Sequence, residues 1–325
     1  MGDLRGLVIL VTGATGFIGA TLCRRLGEAG AEVHAVSRTR RSVAKRGLRW
    51  WQADLSQQGK TQRLCRMIKP DVIFHLASHV IGARNIENVA PTFQNNLMTT
   101  VNLLTVASEV GCQRIILSNS LEEPDRADTE PVPCSPYAAA KWASSAYARM
   151  FHALYQVPVS ILRLFMVYGP GQRDLNKLVP HVTMSLLRGE APKLTTGQRQ
   201  IDWIYVDDVV DGMLAAAKAP GIEGKTIDIG SGGLTSIREV VDELVQLVNP
   251  EIKPLFGALA ERPLEQTRVA DTTEASASLG WKPKTPLRQG LERTVEWYRS
   301  TRTTASAFLL NVLCYSLMNE FIFTG

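Results

Sequence analysis

Val8-Ile-Leu-Val-Thr-Gly13-Ala-Thr-Gly16-Phe-Ile-Gly19 reads as a buried strand, a tight turn and the start of a helix. The apolar, mostly β-branched run Val8–Val11 suits a strand covered on both faces. Glycine at 13, 16 and 19 lets the backbone approach a ligand closely. The helix behind them offers free N–H groups carrying about half a positive charge. That combination suits the pyrophosphate of a dinucleotide, and its specificity comes from the strand before and the helix after. A tight turn with no ligand is the competing reading.

From there, short apolar runs alternate with helix-like segments, which predicts a parallel α/β sheet. Strands are expected at Leu7–Thr12, Glu32–Ser37, Val72–Leu76, Arg114–Ser118 and Val159–Leu164, and amphipathic helices at Phe17–Ala29, Thr92–Val110 and Tyr137–Tyr155. After Gly169-Pro170-Gly171 the rhythm loosens, with helices expected at Asp207–Ala217, Ser236–Val248 and Leu287–Arg299. Residues 1–170 are therefore expected to form a dinucleotide-binding domain and 171–300 mainly a substrate-binding lobe. Thr226–Ile229 is expected to return to the main sheet, and 301–325 to form an apolar tail.

The chain has 325 residues, 45% hydrophobic and 21% charged, with a net charge of +5. The mild positive balance suits an anionic ligand and lacks the dense basic face of a nucleic-acid protein, so no nucleic acid is expected. The five cysteines form no Cys-x-x-Cys pair. Neither a disulfide framework nor a metal site is indicated, and reduced cytoplasmic thiols are the preferred reading. The apolar tail Ala305–Phe323 is interrupted by Asn311, Asn319 and Glu320. Packing against the body or a partner subunit is preferred to membrane contact.

Tyr137-Ala-Ala-Ala-Lys141 carries the second piece of chemistry. Residues four apart on a helix share a face, so the two head groups can meet. A nearby ammonium favours the phenolate, which makes the tyrosine a usable general base or acid. With the glycine turn, this points to hydride transfer on a carbinol or ketone. The second strand ends in Ser37-Arg38-Thr39-Arg40-Arg41 without an acid. An acid there would bind ribose hydroxyls and repel a 2′-phosphate. Ser37, Arg38 and Arg41 instead suit that phosphate, so NADP(H) is read, with NAD as the alternative; a solvated loop is the bland account of the arginines. Asp54, with Leu55, follows the next strand, where a carboxylate can accept from the adenine amino group. Leu76, Ala77 and Ser78 follow His75 where the backbone must pass close to the cofactor. His75 itself reads as a satisfied core histidine.

These residues, with Asn96 before Asn102-Leu-Leu and Arg163-Leu-Phe-Met-Val-Tyr-Gly-Pro-Gly171, resemble the extended short-chain dehydrogenase/reductases of the nucleotide-sugar epimerase/dehydratase/reductase group. The resemblance runs from about Leu7 to Tyr298. It implies a Rossmann-type doubly wound parallel sheet with a smaller C-terminal substrate lobe, a nucleotide-diphosphate sugar as substrate, and often a homodimer. It implies that Tyr137 exchanges a proton with the sugar oxygen, assisted by Ser120 just beyond the fifth strand. Lys141 is implied to bind the nicotinamide ribose and to depress the Tyr137 pKa. Cofactor contacts are implied for Thr15, Phe17, Ile18, Leu55, Asn96 and Ser118 besides the residues already named.

Several positions depart from the family pattern. Glu122 stands where 4,6-dehydratases place a glutamate, but Leu121 replaces the acid that often precedes it. Ser120-Leu-Glu-Glu123 also resembles GDP-4-keto-6-deoxymannose reductases, which use NADPH; an exposed acidic loop is the competing reading of Glu122 and Glu123. Met166 replaces a substrate-contacting asparagine. Ile201 stands where an arginine usually touches the diphosphate, so Arg199 is expected to substitute, beside the retained Arg262. Asp207 and Asp208 are read as caps of the next helix. The sequence thus points to an oxidoreductase or epimerase acting at carbon 4 of a nucleotide-diphosphate sugar, with 4-keto reduction placed first. A 4-epimerase or 4,6-dehydratase holding NAD and a non-catalytic NADP-binding sensor are the alternatives.

Overall fold

A computed structural model describes residues 4–41, 47–124, 130–261 and 264–301. Its centre is a seven-stranded sheet in the order β10-β6-β5-β4-β1-β2-β3. The strands are β1 (Val8–Thr12), β2 (Glu32–Ser37), β3 (Leu48–Gln52), β4 (Val72–His75), β5 (Arg114–Ser120), β6 (Val159–Leu164) and, after the short strands β7 (Met166–Tyr168), β8 (Gln200–Ile201) and β9 (Trp203–Tyr205), β10 (Thr226–Ile229). Every pairing in the sheet is parallel. Order reverses at β1, which places the first glycine turn at the crossover of a doubly wound sheet.

Two compact units divide the chain. The first comprises Met1–Val167, Gln200–Thr235 and Arg262–Lys284, so β10 does return to the sheet. Alternation along each strand builds a core on both faces. Ile9, Val11, Val72, Phe74 and Ile116 pack against α1 (Phe17–Glu28) and a later helix over Val206–Ala216. Leu10, Ile73, Ile115 and Leu117 pack against α2 (Gln58–Ile68), α4 (Thr99–Val110) and α5 (Pro136–Tyr155). A short α3 (Val89–Thr92) reaches α4 through a wider π-type turn at Phe93–Met98, where one continuous helix was expected. Gly111, at φ +80°, stops α4. Ser135 caps α5, accepting from the Ala138 N–H at 3.1 Å, and Pro136 fits the first turn because no N–H is needed there.

Among the described residues, the second unit comprises Tyr168–Arg199, Ser236–Glu261 and 285–301. It contains α6 (Leu178–Leu187), α8 (Ile237–Val248) and a helix over 287–301. Ser236 and Glu239 form a capping box at the start of α8. Tyr168 is buried, with its hydroxyl donating to the Leu287 carbonyl at 3.1 Å. A Cβ on Gly290 would fall 2.2 Å from that hydroxyl oxygen, so only glycine fits there.

In the first unit, α7 (Val206–Ala216) starts after Tyr205 with no side-chain cap. Asp207 and Asp208 occupy its first turn, beside the positive helix end, and do not cap it as expected. α9 (Thr272–Leu279) is capped by Asp271. Among the described residues no helix is long and apolar enough to cross a membrane. The expected tail 301–325 lies, apart from Thr301, outside those residues, as does Arg262.

Candidate active site

The carboxyl ends of β1, β4 and β5 are neighbours in the sheet, so residues distant in sequence converge beyond them. Gly13 has φ +67°, and a Cβ there would lie 2.7 Å from the backbone of Leu76 and Ala77. A Cβ on Gly19 would lie 2.2 Å from the Gly13 carbonyl oxygen. The Gly16 N–H donates to that same oxygen at 2.9 Å and closes the turn. No side chain caps α1, whose entry is lined by exposed Thr15 and Gly16 and half-buried Phe17 and Ile18. The uncapped N–H groups and helix field suit an anion pressed against glycine backbone. Nearby, Ser78 Oγ is buried without a hydrogen-bond partner, a polar atom that a bound ligand can satisfy.

Thr12 organises the loop after β4. Its hydroxyl accepts from the Leu76 and Ala77 N–H groups at 3.1 Å each, so its proton goes to His75 Nδ1 at 2.8 Å. His75 Nε2 then carries the ring proton and donates to Thr100 Oγ1 at 3.1 Å, which donates to the Asn96 carbonyl at 2.7 Å. Burial, then the Lys141 charge, pushes His75 down to about 3, so it is a neutral, satisfied core histidine as expected. Asn96 holds the same loop through its side chain, with Oδ1 accepting from the His79 N–H at 2.6 Å. Its amide is thus engaged with protein backbone.

At the other edge, Ser37 Oγ pairs with Thr39, and Arg38 donates to Asn95 Oδ1 at 2.9 Å from an exposed position. Arg41 is exposed as well. The Asp54 carboxylate accepts from Ser56 Oγ at 2.7 Å and from the Ser56 N–H at 3.0 Å. Those bonds hold it below the usual carboxylate range and close its own turn, where adenine recognition was expected of it. Leu55 is buried, and Asn102 Nδ2 fastens its carbonyl at 2.9 Å.

Ser120, Tyr137 and Lys141 come together as the sequence predicts, although Ser120 is the last residue of β5 itself, not a loop residue. Ser120 lies close enough to the Tyr137 phenol to favour its ionised form, and Ser120 Oγ accepts from the Glu122 N–H at 3.2 Å. Lys141 Nζ donates to the Ser118 carbonyl at 2.9 Å and lies 5.8 Å from the Tyr137 ring centre. Ser118 Oγ is turned to the His75 carbonyl at 3.0 Å. Burial lowers the Lys141 ammonium to about 8, opposed by Glu123.

Tyr137 departs from expectation. Its pKa is raised, not depressed: burial is the largest cause and the Glu122 charge the next, while Ser120 only partly opposes them. Burial and the Glu122 charge thus both disfavour the phenolate, and the phenol keeps its proton at neutral pH. Glu122 points toward the N-terminus of α5, with Oε2 3.5 Å from Ser135 Oγ and 3.9 Å from Cys134 Sγ. Glu123 is only 5% exposed, which removes the reading of both glutamates as an exposed loop. Leu121 sits in the apolar core and brings no acid.

Of the substrate-side residues, Met166 belongs to the first unit and Arg199 to the second. Met166 is half-buried and its N–H donates to the Asp202 carbonyl at 3.0 Å. Ile201 is buried, and Arg199 belongs to the second unit, near Glu261. Sequence reasoning missed Asn119, Ser145 and Arg268 and gave Glu123 no role of its own, yet all four support the site from behind. A buried glutamate beside a proline carries no periodic signal that distinguishes it from a solvated loop.

Residues 9–230 match the model of a protein family described as the NAD dependent epimerase/dehydratase family. The chain belongs to that family. It is an enzyme of the short-chain dehydrogenase/reductase type, as the motifs imply. The UDP-glucose 4-epimerase of Mycolicibacterium smegmatis is 31% identical over 310 residues, covering 90% of this chain and 98% of that protein. The dTDP-glucose 4,6-dehydratase of Haemophilus influenzae is 28% identical, covering 89% of this chain and 97% of that protein. Among solved structures, the UDP-glucose 4-epimerase of Thermotoga maritima with UDP-glucose superposes with a TM-score of 0.83 at 27% identity over 90% of this chain and 99% of that one. The Bacillus cereus UDP-glucuronic acid 4-epimerase, in complex with UDP-glucuronic acid and NAD, gives 0.80 at 26% identity over 90% of this chain and 99% of that one.

Proposed function

We propose that this member of the family reduces a 4-keto nucleotide-diphosphate hexose, using NADP(H). The observation that carries this reading is Tyr137 held between Lys141 and the Ser120 strand end, together with the uncapped α1 turn. Gly13, Gly16 and Gly19 would hold the pyrophosphate, Lys141 the nicotinamide ribose, and Ser37 with Arg38 and Arg41 the 2′-phosphate. A bound nicotinamide dinucleotide supplies hydride chemistry at carbon 4. Tyr137 and Ser120 would meet the carbon-4 oxygen, and Tyr137 would give its proton to that oxygen as the carbonyl becomes an alcohol. Leu121 supports a reaction without elimination, since no carboxyl group follows Ser120 directly to protonate a leaving hydroxyl.

A 4-epimerase is the second reading, supported by the full-length similarity to UDP-glucose 4-epimerase. The two differ in their handling of the cofactor. A reductase purifies with exchangeable dinucleotide and consumes NADPH with a 4-keto sugar nucleotide. Firmly retained NAD, with interconversion of 4-epimers and no NADPH consumption, overturns reduction in favour of epimerisation.

A further inference from the structure

Behind the Ser120–Tyr137–Lys141 site lies a second polar layer. The Asn119 side chain closes strand end to helix: its Oδ1 accepts from the Ser120 N–H at 3.0 Å, and its Nδ2 donates to the Lys141 carbonyl at 2.9 Å and to Ser145 Oγ. Ser145 lies one helical turn beyond Lys141. Because its hydroxyl accepts from Asn119, its own proton is directed to Glu123 Oε1, at 2.7 Å. The chain of bonds thus runs in one direction and ends on a carboxylate, an acceptor-only group when ionised. Arg268 fixes the backbone of the same segment, donating to the Glu123 carbonyl at 3.0 Å and the Leu121 carbonyl at 3.4 Å.

A buried carboxylate is costly unless it has a task or partners. Glu123 is raised by burial, opposed first by the Ser145 hydrogen bond and then by the charges of Arg163, Arg149 and Lys141. The groups around it are Lys141 and Arg149 from α5, Arg163 from β6, Arg268 from the loop before α9, and the neighbouring Glu122 and Tyr137. Lys141 is buried too, with the Ser118 carbonyl accepting from its ammonium. A carbonyl oxygen alone is poor compensation for a full charge out of water.

We propose that Glu123 is a positioning residue: a buried counter-charge that keeps Lys141 an ammonium and, through Ser145 and Asn119, locks its helix to the Ser120 strand end. The inference rests on the functional reading only in taking Lys141 and Tyr137 as the working pair. Glu123 acts through Lys141 and need touch neither substrate nor cofactor. Replacing it with a neutral residue moves the titration of Lys141 acidward, and it relieves a negative charge felt by Tyr137, which moves the phenol in the same direction. The alkaline limb of a pH profile therefore moves to lower pH. Loss of packing alone lowers activity without that displacement.

The test follows Lys141 directly. Full-length protein labelled at lysine 13Cε is titrated by NMR, with the Lys141 signal assigned by its absence in Lys141→Met. The wild-type midpoint is expected near 8, and in Glu123→Gln about one pH unit lower. Glu123→Ala provides the same comparison should the amide disturb folding. Coincident midpoints in wild type and either folded variant overturn the proposal. No turnover is needed for this readout, so failure of every sugar nucleotide as substrate counts against the proposed function alone.

Discussion

Lys141 reaches back from its helix to donate to the carbonyl of Ser118, two residues before Ser120, at 2.9 Å. That bond fixes the ammonium between the strand end and the Tyr137 ring. It also leaves the charge buried, and burial brings the group down to about 8.

The first prediction follows from that value. Lys141 is half charged near pH 8 and loses the rest of its charge as the pH rises further, so dinucleotide affinity falls through and above about pH 8. Fluorescence titration across pH 6.5–9.5 measures the limb. It is expected to disappear in Lys141→Arg, whose guanidinium stays charged.

Gly13 leads to the second. Its φ of +67° and the 2.7 Å approach of the Leu76–Ala77 backbone leave no space for a Cβ. Gly13→Ala is expected to abolish dinucleotide binding and to cost about 2 kcal/mol or more in stability, read by calorimetric binding and chemical denaturation.

His75 gives the third, with the opposite pH sense. Its folded pKa of about 3 lies below the ordinary 6.5. Below pH 6.5 the unfolded chain therefore binds a proton that the folded chain refuses, and stability is lost as the pH falls toward 3. The share of His75 is roughly 1.4 kcal/mol for each pH unit inside that window. Denaturation of wild type and His75→Gln at pH 7 and pH 5 isolates it, and the variant is expected to show the shallower decline.

Much of this was legible in sequence because it rests on local rules. The β-branched run into Gly13 marks β1 and its turn, and alternation of apolar runs with amphipathic segments points to a parallel α/β sheet, though not to its strand order. Tyr137 and Lys141 needed only the helical period. What sequence did not carry was the balance of environments. The direction of the Tyr137 shift depends on burial and on Glu122, and the inward position of Glu123 depends on Ser145, more than twenty residues away. The turn that Asp54 makes with Ser56 and Gln57 was equally invisible, since its place after a strand says nothing of those side-chain bonds. Arg199 falls in the second unit, and no local pattern assigns it to a ligand.

The fourth prediction concerns cofactor choice. Arg38 is exposed, and a guanidinium at the end of β2 suits a 2′-phosphate. Arg38→Ala is expected to weaken NADPH binding about tenfold or more while changing NADH binding little; equal losses for the two cofactors would contradict the assignment. Parallel binding titrations with each cofactor separate these outcomes.

The central claim is that the phenol of Tyr137 passes the proton to the carbon-4 oxygen. Its most direct test is single-turnover NADPH consumption with a 4-keto sugar nucleotide, in wild type and in Tyr137→Phe. Tyr137→Phe is expected to bind NADPH with wild-type affinity and to turn over at least about a hundredfold more slowly. Turnover at the wild-type rate by a folded, NADPH-bound Tyr137→Phe would contradict it.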